Sequence, residues 1–243
     1  MVRNLYHGAD RIVRAPVFGA GNSFNDYGLG FYCTESLELA REWAVSSRAN
    51  GFVSKYTLET AGLRVVDLSN PQFCILHWLA VLLNYREFDA QSQTARQAKD
   101  YIRTEFNVDY QSADCMLGYR ADNSNFTFAQ DFLNGGISYR EFARAVRLGE
   151  QGRQVVLRTN RAFERLTYAG FEAALCAESY AGKMARDREL LRRAYGPAGR
   201  AAAGDQAPSA DGGLILSRAA APGVFFVSQL LAEEVKSYDA RLR

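Results

Sequence analysis

A histidine–glycine pair near the amino terminus, followed by a glycine-rich loop and an aromatic strand, constrains this chain more than any other feature. Residues 3 to 6 read as a short strand that ends at His7-Gly8. A loop rich in Gly and Asn runs from about Val17 to Gly30, and the extended stretch Phe31-Tyr32-Cys33-Thr34 comes next. Thr34 with Leu37, Leu39, Ala40, Trp43 and Ala44 has the spacing of a capped amphipathic helix. Two strands joined by a glycine loop, with a helix directly behind the second, point to a mixed fold of strands and helices.

The remaining pattern alternates in the same way. Residues 52 to 58 and 63 to 68 read as strands separated by a glycine turn. From Pro71 to Leu83 apolar residues come too densely for a surface helix, which predicts a core helix too short to cross a membrane. Ala90 to Phe106 is polar and helix-compatible, Ala113 to Gly118 and Gln154 to Thr159 read as strands, and Phe126 to Leu133 and Tyr139 to Leu148 as helices. Residues 171 to 195 read as a charged helical segment in which Arg186, Arg188, Arg192 and Arg193 interleave with Asp187 and Glu189, the pattern of a solvated helix face. The expected organisation is one domain over 1–195, a flexible low-complexity loop over 196–213, and a helical segment over 214–243 that docks on the same domain.

Composition excludes several classes. With 29 basic and 27 acidic residues the net charge is +2, which lacks the excess of Lys and Arg that phosphate backbones select and argues against a nucleic-acid partner. Cys33, Cys74, Cys115 and Cys176 lie outside metal-ligand spacing of one another and sit among apolar or small residues, so they read as reduced buried thiols, with no metal site and no disulfide. Cys33, next to Tyr32, reads as core filler. No apolar signal region opens the chain and no long apolar run could span a bilayer. The expectation is a cytoplasmic protein without a membrane partner, with delivery as an effector lacking a signal peptide left open.

Phosphate loops, nucleophile elbows and metalloprotease helices are missing, and Gly28-Leu-Gly30-Phe-Tyr-Cys33 lacks the third glycine of a dinucleotide fingerprint. The pairing of Leu5-Tyr6-His7-Gly8 with Asn25-Asp26-Tyr27-Gly28-Leu29-Gly30-Phe31-Tyr32-Cys33-Thr34 instead resembles the NAD⁺ site of ADP-ribosyltransferases of the His-Tyr-Glu class, the type of diphtheria toxin and the poly-ADP-ribose polymerases. In that class a His-Gly ends one strand and Gly-x-Gly-aromatic-Tyr begins the next. Ile75-Leu-His-Trp-Leu, Gly118-Tyr-Arg-Ala-Asp122, Gln154 to Phe163 and Asp239 to Arg243 resemble successive blocks of a bacterial family of unknown function related to those enzymes.

The resemblance implies an α+β fold: a split, mostly antiparallel two-sheet core around an NAD⁺ cleft, with peripheral helices. It implies that His7 binds the adenosine ribose, Gly8 offers its backbone to the nicotinamide amide, and Tyr32 stacks on nicotinamide. Gly28 and Gly30 would bend the backbone beneath the ligand, with Asp26 in the same loop. Few groups are needed, because nicotinamide leaves as a neutral pyridine from a cationic one; the site has only to position the ribose and stabilise its oxocarbenium character. Where the class has a glutamate this chain has Gln154, whose amide can hydrogen-bond ribose hydroxyls but cannot act as a carboxylate. Glu150 and Asp122 are the alternative carboxylates, although Asp122 equally fits a helix cap and Asp26 an organiser of its own loop.

The function so implied is an NAD⁺-dependent mono-ADP-ribosyltransferase, toxin- or effector-like, acting on a macromolecular acceptor, with NAD as substrate and no metal. The resemblance also suggests a neutralising antitoxin or regulatory partner. NAD⁺ hydrolysis and a non-catalytic NAD-binding or partner-binding module are the alternatives.

Overall fold

The computed structural model describes residues 1–148 and 153–195, together with Lys236. Glu150, the expected loop over 196–213 and, apart from Lys236, the expected segment over 214–243 lie outside the described residues. The fold is α+β, with two sheets and seven helices among the described residues. The chain divides into two compact units, one of Met1–Asn70, Asp109–Arg120 and Glu150–Asp187, the other of Pro71–Val108, Ala121–Gly149 and Arg188–Arg243.

The first unit holds every described strand. Its three-stranded sheet has the order β1–β3–β7, from β1 (Val2–Ala9), β3 (Gly51–Glu59) and β7 (Leu166–Ala174), all antiparallel. Its four-stranded sheet has the order β2–β6–β5–β4, from β2 (Phe31–Cys33), β6 (Arg153–Leu157), β5 (Cys115–Tyr119) and β4 (Val65–Asp67), with only β4–β5 parallel. Alternation decides what each strand buries. Leu5, Tyr56, Leu58, Cys33, Cys115, Leu117, Val155 and Leu157 come from both sheets and share one core. Tyr6 and Val53, one position out of phase with Leu5 and Tyr56, instead pack with Ala40 and Ala44 of α1 (Leu37–Ala44). Cys33 and Cys115 are buried free thiols and burial pushes both up, so neither is a ready nucleophile.

Two segments differ from expectation. The helix after β2 is capped not by Thr34 but by Ser36, whose hydroxyl accepts from the Leu39 amide; Thr34 is spent on a bridge to β1. Residues 171–174, expected to begin a helix, close β7, and α7 (Cys176–Tyr195) starts after them. The alternation of β7 is carried by Leu166, Tyr168, Gly170 and Glu172, of which Tyr168 alone has a strong strand preference, and pairing with β3 supplies the rest. The arginine cluster of α7 is likewise not uniformly solvated, since Arg186 is half-buried and ion-paired with Glu42 of α1.

The second unit is helical: α2 (Ile75–Tyr85), α3 (Gln93–Glu105), α4 (Asn123–Leu133) and α5 (Tyr139–Leu148). The dense apolar run after Pro71 is a core helix, as expected, with Trp78 buried and stacked on Phe142. His77 is structural: its Nδ1 accepts from the Cys74 amide at 3.0 Å at the start of α2, with its ring edge-on to Phe73 and Phe106. None of the described helices is long and apolar enough to cross a membrane.

The close approach of α1 to the three-stranded sheet depends on glycines. A Cβ at Gly51 would fall onto the backbone carbonyl oxygens of Ala44 and Ala9, neither of which can rotate away. Gly51→Ala is therefore expected to lower unfolding stability by about 1–3 kcal/mol, read from the urea midpoint at constant slope. A neutral result would show that α1 is free to slide.

Candidate functional site

The two sheets of the first unit meet at one backbone bridge. The Tyr6 amide donates to the Thr34 carbonyl at 2.8 Å, and the Thr34 amide donates back to Tyr6 at 2.9 Å. Antiparallel strands turn alternate residues to opposite edges, so Gly8, two residues beyond Tyr6, presents its N–H and C=O on the same edge of β1, away from β3. Next to the bridge, His7 Nδ1 donates to the Tyr32 carbonyl at 2.7 Å. The imidazole also lies 4.5 Å from the Phe31 ring, tilted against it. His7 and Tyr32, twenty-five residues apart in sequence, are thus brought together through a side-chain to backbone contact.

That contact sets the chemistry of the ring. A carbonyl accepts only from N–H, so Nδ1 carries the proton and, in the neutral ring, Nε2 is left with its lone pair. Burial holds the His7 pKa below the usual histidine value; the hydrogen bond to Tyr32 opposes this, and the charge of Arg11 adds to the lowering. His7 is therefore a neutral hydrogen-bond acceptor at neutral pH.

Tyr32 lies on the face of β2 opposite Phe31 and Cys33, as strand alternation requires. Its hydroxyl donates to the Gly28 carbonyl at 2.6 Å and accepts from the Tyr27 amide at 3.0 Å. The ring is thereby tied to the loop that precedes it. Gly28 closes a turn with Asn25 and has φ 73°, where a side chain would be strained. Gly30 is required for a different reason: a Cβ there would strike the side chain of Val156 and the carbonyl of Leu157. Gly8 is constrained similarly, because a Cβ would overlap the Ala40 carbonyl of α1. The three glycines are accounted for by the fold without a ligand, and their effect is to bring bare backbone to one region.

The residue at the third position has an unexpected setting. Gln154 is 3% exposed, paired in register with Gly118, and its Nε2 donates to Asp26 at 3.0 Å. Its Oε1 is buried without a hydrogen-bond partner among the described residues. Asp26 is itself buried, so it organises more than its own loop: it holds the amide of β6. Tyr27, fully buried, donates from its hydroxyl to the Tyr119 carbonyl at 2.7 Å and lies directly against Gly118. The Asp26-Tyr27 pair thus covers the end of the β5–β6 ladder. Sequence reasoning passed over Tyr27; the signal was Gly118, because a glycine inside a strand marks a close approach by another group.

Asp122 belongs to the other unit, where it caps α4 by accepting from the Asn125 amide at 3.0 Å. Two further contacts in the first unit involve arginines. The Arg120 guanidinium lies 4.8 Å from the centre of the Trp43 ring, and Arg11 is close enough to act on His7. Among the described residues there is no cluster of three or more His, Cys, Asp or Glu able to hold a metal ion.

Two outcomes follow from the buried pairings. Folded His7 binds protons less readily than unfolded His7, so its contribution to stability is full above the unfolded pKa of about 6.5 and is lost as pH falls toward the lower folded value. Urea unfolding between pH 5 and 8 should show this slope in the wild type and a shallower one in His7→Gln. Gln154→Glu would set two carboxylates against each other. It should cost about 1–3 kcal/mol at pH 7 and recover on acidification as the pair takes up a proton; a variant as stable as wild type at pH 7 would mean that the Asp26 contact is dispensable.

Residues 3–168, which include every candidate site residue placed above in the first unit, match the family described as "Protein of unknown function (DUF3990)". No curated protein and no solved structure matches the chain.

Proposed function

As the chain belongs to the DUF3990 family, whose function is unknown, we propose from its own geometry that it binds NAD⁺ at the junction of the two sheets and transfers ADP-ribose to a macromolecular acceptor. On this reading the fold is of the ADP-ribosyltransferase type, with the dinucleotide in a cleft of the split β core. The observation that carries it is the hydrogen bond from His7 Nδ1 to the Tyr32 carbonyl. It fixes the tautomer of an imidazole that burial keeps uncharged, the form that accepts from a ribose hydroxyl through Nε2.

Further support comes from the edge of β1, where Gly8 offers one donor and one acceptor, the complement of a carboxamide such as that of nicotinamide. Tyr32, held at its hydroxyl by Gly28 and Tyr27, is suited to serve as a fixed aromatic surface. In the reaction the bond between ribose C1′ and the nicotinamide nitrogen breaks, its electron pair neutralises the pyridinium, and an acceptor nucleophile forms the new bond and gives up a proton. Positioning and electrostatics carry such a step.

A second reading, NAD⁺ binding without transfer, is favoured by one observation: Gln154 is an amide and is committed to Asp26. Incubation of purified protein with NAD⁺ separates the two. Transfer predicts nicotinamide release that His7→Ala reduces at least tenfold, with label from NAD⁺ appearing on macromolecules in a lysate; free labelled ADP-ribose alone would mean hydrolysis. Binding without release predicts only thermal stabilisation, about 2.7 kcal/mol at a hundredfold the dissociation constant. Absence of both nicotinamide release and a thermal shift would end the NAD⁺ reading.

A further inference from the structure

The chain leaves β1 after Ala9 and returns over the same sheet at Val13. The Val13 amide donates to Ser54 Oγ at 3.0 Å, and the Val13 carbonyl accepts from the Tyr56 hydroxyl. Ser54 is the partner of His7 in the β1–β3 ladder, and Tyr56 is the partner of Leu5. Val13 is therefore held on the sheet face that carries the imidazole. Both anchors are buried, Ser54 fully and Tyr56 at 2% exposure, so the return of the loop is a fixed feature of the fold.

Arg11 sits between the end of β1 and that anchor. It is exposed, and among the described residues it makes no ion pair and no hydrogen bond. Its positive charge is felt by His7. The short segment carries Asp10 against Arg11 and Arg14, so it is cationic on balance. An uncommitted guanidinium on an anchored loop, beside a neutral hydrogen-bond acceptor, matches a ligand that carries an anionic group a few bonds from a sugar hydroxyl. In a dinucleotide that group is the pyrophosphate, and the planar fork of arginine fits phosphate oxygens.

We propose that Arg11 forms a diphosphate-binding subsite next to His7, so that the site selects a dinucleotide or an ADP-ribosyl compound over nicotinamide alone. This rests on the NAD⁺ reading and deepens it. Arg11 binds the pyrophosphate, His7 the neighbouring ribose hydroxyl, and the Ser54 and Tyr56 anchors set the distance between them.

The test is calorimetric titration at low salt with NAD⁺, ADP-ribose, nicotinamide and inorganic pyrophosphate. The proteins are wild type, Arg11→Gln, Arg11→Lys and Arg165→Gln. Arg165, ion-paired with Glu59 at 3.6 Å at the far end of β3 from Ser54, controls for net charge. Arg11→Gln is expected to weaken NAD⁺ and ADP-ribose about tenfold, as loss of a charged hydrogen bond predicts, and to leave nicotinamide within twofold. Arg11→Lys should fall between, and Arg165→Gln should match wild type. Arg11→Gln binding NAD⁺ as tightly as wild type overturns the subsite and leaves the NAD⁺ reading standing. Equal weakening by Arg165→Gln also overturns it, as a net-charge effect. Binding of pyrophosphate that depends on Arg11, without binding of NAD⁺ or nicotinamide, keeps the subsite and sinks the NAD⁺ reading. Wild type binding none of the four removes both.

Discussion

The arrangement of the first unit depends on the reciprocal backbone bridge between Tyr6 and Thr34. It is a single pair of hydrogen bonds, yet it joins an edge of each sheet, and the candidate residues are positioned relative to it. One residue along β1 from the bridge is His7, and two residues along is Gly8. Two residues back along the other strand is Tyr32, whose carbonyl accepts from the imidazole. Without that register, the imidazole would lose the partner that fixes its tautomer and Gly8 would lose its orientation. The shared core of Leu5, Cys33, Tyr56, Val155 and Leu157 lies beneath the bridge and resists shear between the sheets.

Two neighbouring regions of this unit differ in polarity. Around His7, burial and the charge of Arg11 keep the imidazole uncharged. Around Gln154, a buried carboxylate is answered by a neutral amide. Burying a carboxylate is costly unless its oxygens accept hydrogen bonds, and the Gln154 amide supplies one such donor to Asp26. A second carboxylate in place of Gln154 would raise that cost. The loop that carries Asp26 therefore disfavours a glutamate at position 154.

Much of the fold was legible in the sequence, and the reasons for the exceptions are local. The core helix after Pro71 announced itself by apolar density, and β3 by aromatic and β-branched residues ahead of a glycine turn. β7 did not, because Gly170, Ala173 and Ala174 have little strand preference and its pairing with β3 supplies the order. At the site, His7, Tyr32 and the glycines could be read as a constellation, since their order and spacing are one-dimensional facts. The cover formed by Asp26 and Tyr27 could not, because it joins residues 26 and 27 to residues 154 and 119. Arg11 was equally hidden, since its nearness to His7 depends on the loop folding back to Ser54 and Tyr56.

Gly8 has no room for even one added carbon against the Ala40 carbonyl of α1. Backbone touching backbone cannot yield as side chains do, so the helix and the open edge of β1 behave as one stiff piece. The other end of that lever is the ion pair between Glu42 and Arg186, which joins α1 to α7. A force applied to α7 has a short route to the peptide group of Gly8, through parts that transmit displacement instead of absorbing it.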